Sequence, residues 1–269
     1  MEEKMVGEVH NVQPLDRPVV ASLKGLVALV TGAGGGIGRA VAHEMADAGA
    51  TVHLADIETK SCADLAAAIS ERGGTATAGP LDVSNSASCS AAITDAVGQH
   101  GRLDVLINSA GIMRRLDAAS TSDEDWEHVL DVNLHGTFRM CRASLVHLEA
   151  SPLAAIVNLS STNGAVAVRN AAAYCVSKAG VLHLTRVLAL EWAQRGIRVN
   201  AVAPTIVATP MTEDLQADPA YMESKLASIP LGRMASAEEV ARAVAWLASP
   251  AASMVTGSTL FVDGGYMIQ

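Results

Sequence analysis

The sequence of 269 residues predicts an α/β fold, a doubly wound parallel sheet of about seven strands flanked by helices in a single domain. Three observations predict it. Short apolar runs alternate with longer amphipathic ones, as expected of strands buried on both faces and joined by crossover helices. A glycine cluster follows the first apolar run and opens the first helical one. No internal repeat or low-complexity linker divides the chain, and a hydrophobic fraction of 50% against 17% charged residues suits one large core and excludes disorder.

The elements follow in order. Residues 1–22 have no clear periodicity and contain Pro14 and Pro18, so they form an N-terminal extension; the domain occupies 23–269. The first strand, 26–30, runs into TGAGGGIG and a helix over 37–49. Glycine permits a tight turn and lets a pyrophosphate reach backbone N–H groups at a helix N-terminus, which assigns Gly32, Gly36, Ile37 and Gly38 to a phosphate-binding turn. The second strand, 51–55, ends at Asp56, 18 residues after Gly38. An acid at that place accepts hydrogen bonds from an adenosine ribose and repels a 2′-phosphate, so NAD is favoured over NADP. Neighbouring Ile57 carries no compensating cation, although Arg39 could reach an added phosphate.

A helix over 60–72 leads to a weaker strand, 75–79, after which Asp82 and Val83 are placed to meet the adenine. A helix over 86–99 and a strand over 105–107 precede Asn108-Ser109-Ala110-Gly111, whose small residues let backbone approach the cofactor. One long helix is predicted over 123–149, then a strand over 155–159, a helix over 173–195 and a strand over 199–202. The irregular stretch 204–235, rich in Pro and Met with one short helical run, is expected to be a substrate loop. A helix over 236–248 and a strand over 259–262 complete the sheet.

Tyr174 and Lys178 are four residues apart in an Ala-rich helix, which puts phenol and ammonium on one face. A tyrosine base near neutral pH needs its pKa lowered by about 2–3 units, and a nearby cation works in that direction. Tyr221 and Lys225 share the spacing. Context separates the pairs: Tyr174 follows the fifth strand, near the sheet edge where ligands bind, and Ser161 stands 13 residues before it, whereas the same offset from Tyr221 gives Ala208. Tyr221 is expected to be a surface helical residue that helps cover the site.

TGAGGGIG (31–38), NSAG (108–111), Asn133 within DVNL, NLSS ending at Ser161, YCVSK (174–178) and FVDGG (261–265) together resemble the short-chain dehydrogenase/reductase family over about residues 24–269. The resemblance implies a Rossmann-type fold and an NAD-dependent oxidoreductase acting between a secondary alcohol and a ketone. It makes Tyr174 the acid/base, with Ser161 orienting the reacting oxygen. Lys178 binds the nicotinamide ribose and lowers the Tyr174 pKa, and Asn133 holds a water in a proton relay. Pro204, Val207 and Thr209 meet the nicotinamide. Two departures stand out: Ser109 replaces the second Asn of the usual NNAG, and Thr205 the Gly that usually follows Pro204. A homotetramer built through the long fourth and fifth helices and the C-terminal segment is also implied.

The substrate is less constrained. Arg114 and Arg115 follow NSAG as in sugar-acid dehydrogenases of the family, and an Arg near the pocket could clamp a carboxylate; otherwise they belong to a solvated loop or subunit contact. A sugar, sugar acid or polyol is the leading class. The alternatives are a carbonyl or 3-oxoacyl reductase and a non-catalytic NAD-responsive binding protein, for which a proton relay would be superfluous. The net charge of -9 disfavours nucleic acid. The His residues, His128 and His183 among them, form no metal motif and are expected to be ordinary helix residues. Cys62, Cys89, Cys141 and Cys175 lie far apart, as buried thiols of a reducing compartment do. No apolar run reaches the roughly 18 residues of a membrane span. A cytoplasmic protein with a small-molecule substrate is the expectation.

Overall fold

The computed structural model describes residues 21–268. Residues 1–20, most of the expected extension, lie outside the described residues. Ala21, assigned to that extension, is buried at 5% exposure, and Leu23, the first residue of the expected domain, is fully buried in the core.

Seven parallel strands form one sheet in the order β3-β2-β1-β4-β5-β6-β7. They are β1 (Val27–Thr31), β2 (Thr51–Asp56), β3 (Thr75–Pro80), β4 (Val105–Asn108), β5 (Ala155–Leu159), β6 (Arg198–Pro204) and β7 (Thr259–Val262). The order reverses between β1 and β4, and open sheets of this type bind ligands at the carboxyl ends beside that switch. Strand alternation divides the core into two layers. Ala28, Val30, Val105 and Ile107 pack with α1 (Gly36–Asp47), α2 (Thr59–Glu71) and α9 (Ala237–Ala248) through Val41, Leu65 and Val244. Leu29, Leu106, Ile156 and Val199 pack on the opposite face with α3 (Ser86–His100), α5 (Gly136–Leu148) and α6 (Ala172–Trp192) through Ile93, Met140 and Leu188. Each fully buried Leu or Ile contributes roughly 1.5–3 kcal/mol by leaving water.

The elements differ from the sequence expectation in two places that matter for the site. The helix predicted over 123–149 is interrupted: α4 (Asp123–Leu130) passes through a π-helical turn, Asp131–His135, into α5. Apolar periodicity cannot register one widened turn, and here it carries the fully buried Asn133. The segment after β6 holds two short helices instead of one, α7 (Glu213–Gln216) and α8 (Pro219–Ala227), preceded by a 3-10 turn over Pro210–Thr212. An isolated bridge between Val207 and Ala235 closes its base. Among the described residues no helix is long and apolar enough to cross a membrane, and no three His, Cys, Asp or Glu gather as a metal-ligand set.

Candidate active site

The carboxyl ends of β1 and β4 meet backbone to backbone. Gly32 has φ +67°, and a Cβ there would lie 2.7 Å from Cα of Ala110; a Cβ on Gly38 would lie 2.0 Å from the Gly32 carbonyl oxygen. No other residue fits either position without moving the turn. The α1 N-terminus has no side-chain cap and no acid in its first turn, so its first N–H groups are available to an anion. Asp56 at the end of β2 accepts from Gly34 N–H through Oδ2 at 2.9 Å and from Glu58 N–H through Oδ1 at 3.0 Å. These bonds fix the carboxylate over the glycine turn and leave lone pairs to accept further donors.

A cavity of about 570 Å³ opens from this turn along the carboxyl edge of the sheet. Gly32, Gly36, Ile37, Gly38 and Asp56 line one end, followed by Asp82 and Val83 after β3 and by Ala110 and Gly111 after β4. The other end is lined by Ser161, Tyr174, Lys178, Pro204, Val207 and Thr209. The glycine cradle and the length of this cleft fit a nicotinamide dinucleotide.

At the catalytic end Ser161 follows β5 and caps a 3-10 turn, its Oγ accepting from Asn163 N–H at 3.1 Å. Gly164 in that turn lets the loop lie on α6, since a Cβ there would be 2.7 Å from the Lys178 carbonyl. Tyr174 and Lys178 occupy successive turns of α6, and both are buried. Burial pushes the Tyr174 phenol above its ordinary value; the hydrogen bond with Ser161 and the field of Arg115 pull the other way. Burial also pushes Lys178 down to about 8. Its Nζ donates to the Leu159 carbonyl at 2.8 Å and sits 5.7 Å from the Tyr174 ring centroid. That bond uses one of the three ammonium donors, so two remain for other acceptors.

Asn133 does not line the cavity. Its Oδ1 accepts from Ile112 N–H at 2.8 Å, while Nδ2 donates to the Ile112 carbonyl at 2.9 Å and to Ser177 Oγ at 3.0 Å. The side chain clamps the β4 exit to α6. Asn108, expected as a cofactor contact, also faces elsewhere: Nδ2 donates to Asn158 Oδ1 at 2.8 Å, next to Cys141, and Ser109 takes its place on the cavity wall. Strand alternation turns Asn108 into the sheet.

Other residues enter the site unannounced. His128, expected to be an ordinary helix residue, lines the cavity with Val132 one turn later. Thr205, singled out in the sequence as the departure after Pro204, lines it too, and its buried hydroxyl has no hydrogen-bond partner among the described residues. Of the three methionines in the loop, Met211 reaches this cavity, whereas Met234 lines a separate one of about 240 Å³. Cys175 is only half-buried, unlike the other three thiols. Tyr221 lies on α8, 39% exposed and outside the cavity wall, and Lys225 stacks at 3.5 Å on the ring of Tyr266. The decoy pair is thus divided, and Tyr174 alone of the two tyrosines faces the cleft.

A family model described as enoyl-(acyl carrier protein) reductase matches residues 32–267. The chain is 41% identical over 247 residues to a D-threitol dehydrogenase of Mycolicibacterium smegmatis, covering 92% of this chain and 95% of that protein. The chain belongs to the short-chain dehydrogenase/reductase family. It is also 42% identical to a galactitol 2-dehydrogenase (L-tagatose-forming) of Cereibacter sphaeroides, over 94% of this chain and all of that one (100%). A crystal structure of a gluconate 5-dehydrogenase from Burkholderia cenocepacia J2315, in complex with NADP and tartrate, superposes with a TM-score of 0.89 at 34% identity, covering 92% of this chain and 98% of that one. As a member of this family the chain is an NAD(P)-dependent oxidoreductase acting on CH–OH groups.

Proposed function

We propose that this protein oxidises a secondary hydroxyl of a small polyhydroxy substrate, a polyol, sugar or sugar acid, with NAD preferred. The observation that carries the reading is the convergence of Ser161, Tyr174 and Lys178 on one end of the cleft whose other end is the glycine cradle. When bound, the dinucleotide supplies the hydride acceptor and, oxidised, a positive charge. Everything else falls to the chain. Ser161 and Tyr174 hydrogen-bond the substrate hydroxyl and hold its carbon for transfer. Tyr174 Oη takes the hydroxyl proton in oxidation and returns it in reduction. Lys178 Nζ would hold the ribose and relay the proton, away from Tyr174 in oxidation and toward it in reduction, and Asn133 keeps the β4 exit and α6 in register beside them. Because its amide is fully engaged, a relay water on Asn133 would sit on its backbone carbonyl, which already accepts from Thr137 Oγ1 at 2.8 Å.

The NAD preference rests on Asp56, which faces the ribose end with both oxygens fixed, and on Ile57, which is 71% exposed and offers no charge. Asp82 and Val83 border the adenine end. A homotetramer is supported by the apolar residues left exposed on α5 and α6, Val146 at 65% and Leu190 at 83% among them. The likeness to threitol and galactitol dehydrogenases supports a polyhydroxy substrate.

An initial-rate screen tests this. Threitol, galactitol, gluconate and a 3-oxoacyl thioester, each with NAD or NADP, should give the highest kcat/KM for a polyhydroxy substrate with NAD. A preference for the thioester, or for NADP with every substrate, contradicts the reading.

A further inference from the structure

Resting on the substrate class above, we propose that Arg115 and Asp214 form a specificity filter: Asp214 and the Met211 carbonyl together occupy the guanidinium edge that would otherwise take a substrate carboxylate, so the site favours an uncharged polyhydroxy chain over the corresponding acid. The backbone places Arg115 at the catalytic end. Leu116, the next residue, makes an isolated bridge to Ala171, which caps α6 three residues before Tyr174. The bridge between Val207 and Ala235 fixes the base of the opposing loop. Across the gap Arg115 Nη1 donates to both carboxylate oxygens of Asp214, at 2.8 and 2.9 Å. Nη1 and Nη2 also donate to the Met211 carbonyl at 3.4 and 3.3 Å, and Met211 lines the cavity. The Arg115 side chain is only 25% exposed, and its field reaches the Tyr174 phenol.

Charge accounting makes the pair decisive. Among the described residues lining the cavity, Lys178 is the only lysine or arginine, and the proposed mechanism gives it to the cofactor ribose. Arg114 is 57% exposed and turns toward Asp125 at 3.8 Å. Arg115 is not itself on the cavity wall but holds the carbonyl of Met211, which is, and so is the cation assigned to a carboxylate that enters past that residue. A guanidinium fork matches a carboxylate in shape and charge, but here Nη1 is held by Asp214 and Nη2 by the Met211 carbonyl. An acidic substrate must either expel Asp214 or place a second carboxylate beside it, whereas a terminal CH₂OH meets no such repulsion. Asp214 is 60% exposed, so the pair is a modest ion pair that exerts its effect as a competitor more than as a strut.

Threitol and tartrate of matching configuration share one four-carbon chain and differ only in CH₂OH against carboxylate ends. Tartrate binding to the NAD-loaded protein, read by calorimetry, and kcat/KM for threitol test the filter together. In Asp214→Asn, tartrate affinity relative to threitol kcat/KM should rise about tenfold, and the gain should vanish when Arg115→Met is added. Unchanged or weaker tartrate binding in Asp214→Asn, or a gain that survives Arg115→Met, overturns the proposal. The tartrate arm needs no turnover: wild-type inertness toward threitol and other polyols would refute the substrate class, while an unmoved tartrate affinity with good threitol turnover would refute the filter alone.

Discussion

In the proposed mechanism Tyr174 carries the chemistry, and its surroundings fix the sign of its pH response. Oxidation needs the phenolate and reduction the phenol. Burial holds the phenol above its ordinary pKa, so below that value each pH unit raises the phenolate fraction tenfold. The expected outcome is a kcat/KM for polyol oxidation that climbs between about pH 7 and 9 while that for ketone reduction does not. An oxidation profile flat over this range in initial-rate measurements contradicts the assignment. The placement of Tyr174 rather than Tyr221 on the cleft was legible in the sequence because Ser161 and a preceding strand accompany only one of them. The direction of Asn108, the entry of His128 and the hold of Asp214 on Arg115 were not. Each depends on a partner far along the chain, 99 residues away for Asp214, and no local pattern encodes such a contact. Lys178 shows the limit of spacing: four residues put it on the right helical face, but burial and the Leu159 carbonyl decide what its ammonium does.

The strand–turn–helix unit at β1 and α1 illustrates which elements a sequence reveals. Gly32 and Gly38 were legible because a missing side chain is itself a signal, and the structure gives the reason in the 2.0 Å approach to the Gly32 carbonyl. Gly38→Ala must open the turn. It should weaken NAD binding at least about tenfold, a loss of 1.4 kcal/mol or more, with far-ultraviolet circular dichroism unchanged. Wild-type affinity in a titration of that variant would show that the turn does not hold the dinucleotide. The long fourth helix was legible as helix but not as one with a π-turn, since widening one turn changes the backbone ladder and leaves the apolar pattern nearly intact. The substrate loop was legible as irregular. Its closure by the Val207–Ala235 bridge and by Arg115 was not, because both are tertiary contacts.

For the whole molecule, strand order follows from alternation and from right-handed crossovers, so the switch point and the cleft were predictable together. Assembly is different. The outer faces of α5 and α6 leave Phe138, Val146, Val176, Val187 and Leu190 at 38–83% exposure, a distribution that monomers seldom tolerate as a patch. Leu190→Glu is expected to shift the proposed homotetramer to smaller species in sedimentation analysis. A variant that remains tetrameric would place the contact elsewhere. Net acidity bears on none of this. Glycine backbone and one helix terminus can hold a pyrophosphate in a protein of charge -9.

In the proposed mechanism Tyr174 is the proton-transfer group of an NAD-linked alcohol oxidation. The most direct measurement pairs steady-state turnover of the best polyol with NAD binding in Tyr174→Phe. Loss of the hydroxyl should lower kcat by about 10²–10⁴-fold and leave NAD affinity within a few-fold of wild type. Retention of turnover near the wild-type rate would contradict the account.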